Sequence, residues 1–281
     1  MKMDHNDITV IILLYKTPKK LLKNLVKYKD FKILILDQSN DLTNSKIIKK
    51  FLPKIQYYGL TKKNIGFAKA QNFLIKKVKT KYFFSTQPDI SLSLKSILDL
   101  KQTLLKFKNN SIIAVPKIKG VKNIKIPSKK ENLNEYKVYN MIGAAFMTEK
   151  KKFVEIGMFD PNFFFYWEDV ELSYRIKYSK YDVYLNSKAK AKHNSGTSSK
   201  NTFKTMLIRN INFKFGEYFF FNKIKKLARI KIIRQIISTL TYSIMFLSIL
   251  KFKESFKYFC YFCGILKFLF DCLRKKFLNF L

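Results

Sequence analysis

Five short apolar runs, separated by helical stretches, constrain this chain more than any other feature. Ile8–Tyr15 is nearly continuous and rich in β-branched residues, the pattern of a strand buried on both faces. Pro18 then opens a helix through about Tyr28. Lys32–Asp37 is a second buried strand ending on a carboxylate, and Asn40 or Asp41 is placed to cap the helix running to about Leu52. Ile55–Tyr58 reads as a short third strand and Phe67–Val78 as a helix. Tyr82–Thr86 is the fourth strand, roughly Ser93–Phe107 the next helix, and Ile112–Val115 the fifth strand. This alternation predicts an α/β fold with a mainly parallel sheet and helical crossovers. Such sheets bind ligands at the carboxyl ends of their strands, where Asp37 and Gln87-Pro88-Asp89 fall. The run at Ile8–Tyr15 follows Asp4 and Asp7 and is short, so it reads as a strand and not as a signal-peptide core.

Beyond these runs the pattern loosens. Lys117–Tyr139 is polar and Lys-rich, a surface excursion. Regular structure resumes at Asn140–Met147, and a helix starts near Lys150. Glu168, Asp169 and Glu171 then open a helix after the aromatic stretch Phe163–Trp167. Acids are favoured at a helix N-terminus by the dipole. Three acids in four residues, in a chain with only 19, nevertheless point to function.

The tail changes character after about Ser199, which divides the chain into a catalytic region at 1–199 and a basic, apolar helical region at 200–281. Gln235–Leu250 is 16 residues without a charge, and Tyr258–Leu266 is a second uncharged stretch rich in aromatics. Sixteen falls short of the ~20 residues that span a bilayer. Arg229, Lys231 and Arg234 precede the first stretch; Arg274, Lys275 and Lys276 follow the second. An interfacial helix or hairpin in one leaflet, with these cations on lipid phosphates, is the expectation. The alternative is an amphipathic helix packed on the rest of the chain.

Charge supplies a weaker argument. The chain carries 56 Lys+Arg against 19 Asp+Glu, a formal net charge of +37. A hydrophobic fraction of 47% excludes charge-driven disorder. Only five of the basic residues are Arg, the residue that nucleic-acid readers use for bidentate contacts. The sequence has no zinc-finger spacing, basic zipper or RNA-binding signature, so nucleic acid is not an expected partner. The lysine excess accompanies abundant Ile, Asn, Phe and Tyr, a bias that base composition produces as readily as selection does. Cys260, Cys263 and Cys272 all lie in the tail. An odd count with none in the first 259 residues fits a reducing, cytoplasmic setting.

Four segments follow one another in order: Asn64-Ile-Gly-Phe-Ala-Lys-Ala-Gln-Asn72, then Gln87-Pro-Asp89, then Gly157–Leu172, then His193-Asn-Ser-Gly-Thr-Ser-Ser199. Together they resemble the family 2 inverting glycosyltransferases of GT-A fold, and in particular the rhamnosyltransferase-like branch that builds bacterial surface polysaccharides such as lipopolysaccharide or capsule. The resemblance covers about residues 7–199. It implies a nucleotide-diphosphate sugar donor, a glycan or lipid-linked glycan acceptor, and a divalent metal (Mg2+ or Mn2+) that neutralises the departing diphosphate. With the tail, it implies an enzyme attached peripherally to the anionic inner face of the bacterial membrane.

The same resemblance assigns roles. Asp89 matches the second acid of the family's Asp-x-Asp motif, where Gln87 stands in the first position, and His193 matches a position near the metal or diphosphate. Asp37 matches the acid that hydrogen-bonds the nucleobase, with Tyr15 flanking it; a strand-end Asp is equally a turn former. Asn64, Gly66 and Asn72 resemble the donor-lining loop and helix. Asp169 corresponds to the base that deprotonates the acceptor hydroxyl. Glu168, with Trp167 beside it, is expected at the acceptor. Ser195, Thr197 and Ser198 are candidate phosphate contacts.

Overall fold

A computed structural model describes residues 5–39, 42–52, 55–119, 134–193 and 202–274. The chain divides into two compact units, one of residues 1–162 and 168–200, the other of residues 163–167 and 201–281.

Among the described residues, the first unit is built on one mixed sheet of nine strands with the order β3-β2-β1-β4-β8-β6-β9-β5, in which β7 pairs with β9. The apolar runs form its parallel half: β1 (Ile8–Leu14), β2 (Lys32–Asp37), β3 (Tyr57–Leu60) and β4 (Tyr82–Thr86). Every residue of β1 and β4 is buried, as their continuous apolar sequences require. The crossovers are α1 (Lys19–Lys23), continued as a 3-10 turn to Tyr28, then α2 (Leu42–Phe51) and α3 (Phe67–Lys77). The expected cap at Asn40 or Asp41 lies outside the described residues.

The other half departs from the simple parallel expectation. β8 (Ala145–Glu149) runs antiparallel to both β4 and β6 (Ser111–Lys119). β9 (Asp182–His193) is parallel to β6 and antiparallel to β5 (Ile90–Leu92) and β7 (Glu135–Val138). Within the expected excursion at 117–139, the described ends are therefore strand. Their lysines alternate outward from a ladder whose partner is distant in sequence, so local composition concealed them. Three helices complete this unit: α4 (Leu94–Lys106), α5 (Lys150–Glu155) and α6 (Glu168–Lys177). Ser93 caps α4 by accepting from the Ser96 amide.

Aliphatic side chains dominate one core cluster, in which Val10, Ile12, Ile35, Leu100 and Met147 are buried together. Aromatic rings form another. Phe83, Phe146, Phe153 and Phe159 meet with centroids 5.4–6.0 Å apart, and Phe67 meets Phe159 at 5.8 Å. Edge-on ring pairs of this kind add to the stabilisation that burial alone provides.

The second unit consists of α7 (Phe203–Lys223), α8 (Arg229–Ser248) and α9 (Phe252–Arg274), with the strip Phe163–Trp167 packed among them. Phe215, Tyr218, Leu227, Ile265 and Phe268 form its core. α7 and α9 touch closely at Gly264, where a Cβ would sit 2.6 Å from the Ile211 carbonyl oxygen. Only glycine allows that approach. The three cysteines are free thiols on α9.

Candidate active site

Register decides which residues meet at the carboxyl edge of the first unit's sheet. Leu14 pairs with Asp37, so the ends of β1 and β2 are level. Thr86 at the end of β4 pairs with Ala145 at the start of β8, which puts Gly143 on the same edge as Asp89. Ile90 pairs with His193, so the last residue of β9 arrives there as well.

The turn Gln87-Pro88-Asp89-Ile90 is closed by the Ile90 amide donating to the Gln87 carbonyl at 3.1 Å, with proline at its second position. It points Asp89 inward. The carboxylate is buried, and its Oδ2 lies 3.6 Å from His193 Nε2, 104 residues away in sequence. Lys27 reaches the same turn, its ammonium donating to the Ile90 carbonyl at 2.5 Å. Burial lowers its pKa to about 8. No sequence signal separates Lys27 from 50 other lysines.

Asp169 stands one residue into α6. Its Oδ2 accepts from the Gly143 amide at 3.1 Å and its Oδ1 from the Val170 amide at 2.9 Å. Burial raises its pKa above the ordinary aspartate range, and the two amides pull in the opposite direction. Glu168 is more deeply placed, only 6% exposed, and its Oε2 has no hydrogen-bond partner among the described residues. Burial first, then the neighbouring Asp169 charge, hold its pKa well above the usual carboxylate range. The two residues before this pair, Tyr166 and Trp167, both have left-handed backbone, with φ of 69° and 71°. Two bulky residues in succession at positive φ are strained, and strain of this kind gathers at functional sites.

Asp37 is fully buried and heavily engaged. Its Oδ1 accepts from the Ser39 amide at 2.9 Å and from the Ser39 hydroxyl; its Oδ2 accepts from Asn44 Nδ2 and the Tyr58 hydroxyl, both at 2.9 Å. Four donors fill a carboxylate, so a nucleobase N–H reaches it only by displacing one of them. Tyr15 sits half-buried just beyond β1, its amide donating to Thr17 Oγ1 at 3.3 Å. Gln38 Oε1 accepts from the Ile65 amide at 2.9 Å and so draws the loop before α3 towards the end of β2.

Gly66 precedes α3 with φ 87°, and no side chain caps that helix. Asn64 accepts from the Gly66 amide at 2.9 Å, which makes it a turn former. Asn72 has a contact that the donor-lining expectation did not include. Its Nδ2 donates to the Phe159 carbonyl at 2.7 Å and its Oδ1 accepts from the Phe159 amide at 3.1 Å. Both ends of this amide are spent on backbone. Glu171 is also structural. It receives Arg175 Nε and Nη2 at 2.8 Å, while Arg175 donates onward to the carbonyls of Ile156 and Met158. Trp167 packs among Phe213, Phe220 and Phe221 of the second unit. Ser195, Thr197 and Ser198 lie outside the described residues.

The family model for glycosyl transferase family 2 matches residues 11–172, more than half of the chain. The chain belongs to the family 2 glycosyltransferases. The match takes in Asp37, Asp89 and Asp169 and stops short of His193 and the helical tail. No match was found among curated proteins. Three solved glycosyltransferase structures share the fold. GalNAc-T7 with UDP, GalNAc and Mn2+ has a TM-score of 0.55 and 15% identity over 79% of this chain and 51% of its own. TarS of S. aureus has 0.53 and 14% over 84% and 48%. The Pyrobaculum calidifontis mannosyltransferase PcManGT with GDP-Man and Mn2+ has 0.56 and 10% over 80% and 66%. The chain thus spans about half the length of the first two and two-thirds of the third. The curled α/β sheet flanked by helices is that of a GT-A fold.

Two of these structures contain Mn2+, and the residues at the carboxyl edge can be weighed against such an ion. Among the described residues no group of three or more His, Cys, Asp or Glu is arranged to hold a metal. Asp89 and His193 supply one oxygen and one nitrogen donor, and Gln87 is neutral. Hard divalent ions commonly take one or two protein ligands and complete their shell with substrate phosphates and water. The pair fits an ion of that kind shared with a diphosphate.

Proposed function

We propose that this chain is an inverting glycosyltransferase that moves a sugar, in the rhamnosyltransferase-like reading a deoxyhexose such as rhamnose, from a nucleotide-diphosphate donor to a growing lipid-linked glycan. The observation that carries the reading is the placement of Asp169. Its carboxylate is fixed by the Gly143 amide on the same sheet edge as Asp89 and His193. The UDP-GlcNAc and GDP-Man in the TarS and PcManGT structures support the donor class.

In the proposed reaction Asp169 takes the proton of the acceptor hydroxyl as that oxygen attacks the anomeric carbon. The bond from that carbon to the diphosphate oxygen breaks on the opposite face, so the configuration inverts. Raised by burial, the Asp169 carboxylate is a stronger base than a solvated aspartate. Glu168 keeps its proton more readily still and is available to orient an acceptor hydroxyl. Asp89 and His193 would hold a divalent ion, whose charge offsets that of the leaving diphosphate. An imidazole donor favours Mn2+ over Mg2+. Asp37, backed by Tyr15, serves the nucleobase, and Gly66 lets the donor approach the open N-terminus of α3. The basic, apolar tail holds the enzyme against the anionic cytoplasmic face of the inner membrane, beside a lipid-linked acceptor.

The test is incubation of the full chain with a panel of UDP-, GDP- and dTDP-sugars, with Mn2+ or with chelator, followed by release of the nucleoside diphosphate. One donor is expected to be hydrolysed slowly, and chelator is expected to suppress it. No binding or turnover of any donor overturns the reading.

A further inference from the structure

Each helix of the α8–α9 hairpin packs one face within the unit and leaves an apolar stripe exposed on another, and on α8 Tyr242 and Met245 are exposed as well. On α8, Ile232, Thr239 and Ser243 are buried, and Ser243 and Ser255 exchange hydroxyl-to-carbonyl hydrogen bonds at 3.1 and 2.8 Å across the hairpin. The exposed stripe is Ile230, Ile233, Ile237, Leu240, Ile244 and Leu247, spaced three and four residues apart and 40–63% exposed. On α9, Phe252, Phe259, Leu266, Phe270 and Leu273, spaced seven, seven, four and three residues apart, share one face and are 42–64% exposed.

The two exposed stripes lie on one side of the hairpin. A helix turns about 100° per residue, which sets the α8 stripe about 110° further round than the residues packed on α9. By the same count the α9 stripe lies roughly 60° further round than Ser255 and Tyr258, which meet α8. In antiparallel helices, rotations of the same sense lead to the same face. The result is an apolar plateau of roughly 30 Å by 20 Å from two helices of this length. That is at the upper end of what a monomer leaves exposed.

We infer that this plateau lies flat in one leaflet of an anionic bilayer, with the α8–α9 hairpin parallel to the surface. The inference rests on the proposed membrane attachment and specifies its face and depth. Residues 229–274 carry eight Lys+Arg and two acids, and Arg229, Lys231, Arg234, Lys251 and Lys253 stand at the ends of α8 and at the hairpin turn. Such a rim complements lipid phosphates. A second copy of the chain would set these cations against one another with almost no acids to pair them.

Crossing the bilayer fits less well. Arg229–Ser248 is long and apolar enough to span by length and composition. Its uncharged run, however, covers only about 24 Å of a ~30 Å hydrocarbon core. α9 is interlocked with it and carries Lys257, Lys267 and Asp271, which are costly inside a bilayer.

The test is co-sedimentation of the full chain with vesicles of phosphatidylcholine and phosphatidylglycerol at about 2:1, and with phosphatidylcholine alone. Variants are Ile237→Gln/Ile244→Gln, Phe259→Gln/Phe270→Gln on the other helix, and the control Gln235→Asn/Ser238→Gln, which lies about 130–170° round α8 from the stripe. Both apolar pairs are expected to lower the partition coefficient at least tenfold, the control less than twofold, with salt weakening all binding. No sedimentation of the wild type would end the attachment reading and this inference together. Sedimentation unaffected by either apolar pair would leave attachment standing and overturn the face assigned here. Retention after alkaline carbonate washing would indicate a span, and a dimer in sedimentation velocity dissolved by Ile237→Gln/Ile244→Gln would indicate a second copy; either overturns the inference. Asp169→Asn should sediment as wild type, since catalysis plays no part in the contact.

Discussion

The Gly143 amide donates to Asp169 Oδ2 at 3.1 Å, which joins the start of α6 to the strand edge beside the end of β4. Gly143 has no side chain to intrude. A Cβ built there would stand 3.6 Å from that same oxygen, in ordinary contact and in the path of anything approaching the carboxylate.

Asp169→Asn preserves this acceptor geometry and removes the proposed base. Turnover is expected to fall by about 10²–10⁴ with unchanged circular dichroism. In the wild type, the rate should rise with pH through a value above the range of a solvated aspartate, because burial raises the Asp169 pKa. A pH–rate profile on the preferred donor checks both.

Glu168→Gln should raise stability, increasingly so with pH. The folded pKa of Glu168 lies above its unfolded value, so the folded chain binds this proton more tightly. Its contribution is present at low pH and is lost as pH rises through the folded pKa. Glutamine has no proton to lose. The Tm advantage of the variant is therefore expected to grow as pH rises above the range where a solvated glutamate titrates, read by calorimetry.

Arg175→Met removes the guanidinium that pairs with Glu171, which is buried at 2% exposure, and frees the carbonyls of Ile156 and Met158. Removing one partner of a buried ion pair costs on the order of 3 kcal/mol. Arg175→Lys should recover little, since one ammonium cannot reach Glu171 and two carbonyls together. Urea unfolding monitored by circular dichroism distinguishes the two variants.

Gly264→Ala places a methyl 2.6 Å from a main-chain carbonyl of α7. Backbone cannot yield as a side-chain tip does, so the helices must separate, at a cost of roughly 1–3 kcal/mol. Loss of helical signal at lower temperature, with donor binding retained, is the expected outcome.

The parallel half of the fold was legible because β1, β2 and β4 are continuous apolar runs, and burial on both faces demands that composition. β9 was not. Asp182–His193 alternates lysines with small and apolar residues, and its paired residues in β5, β6 and β7 lie 45 to 103 positions away. The meeting of Asp89 with His193 follows from that same ladder, although the resemblance anticipated both residues near the diphosphate. Asparagine was the least readable type. Asn64 and Asn72 offer the same amide to a ligand or to backbone, and only the distances to Gly66 and Phe159 reveal the backbone contacts each makes. Lys27 and Arg175 were invisible for a related reason: what defines them is a main-chain carbonyl, which every residue has.

The short strip Ile156–Phe159 is gripped by Arg175 of α6 from one side and by Asn72 of α3 from the other. It works as a spacer bar. The N-terminal end of α3 and the helix that carries Asp169 are kept at a separation set by a few peptide units. Under the proposed function, side-chain changes around the site would alter which sugar is held and leave that gap unchanged.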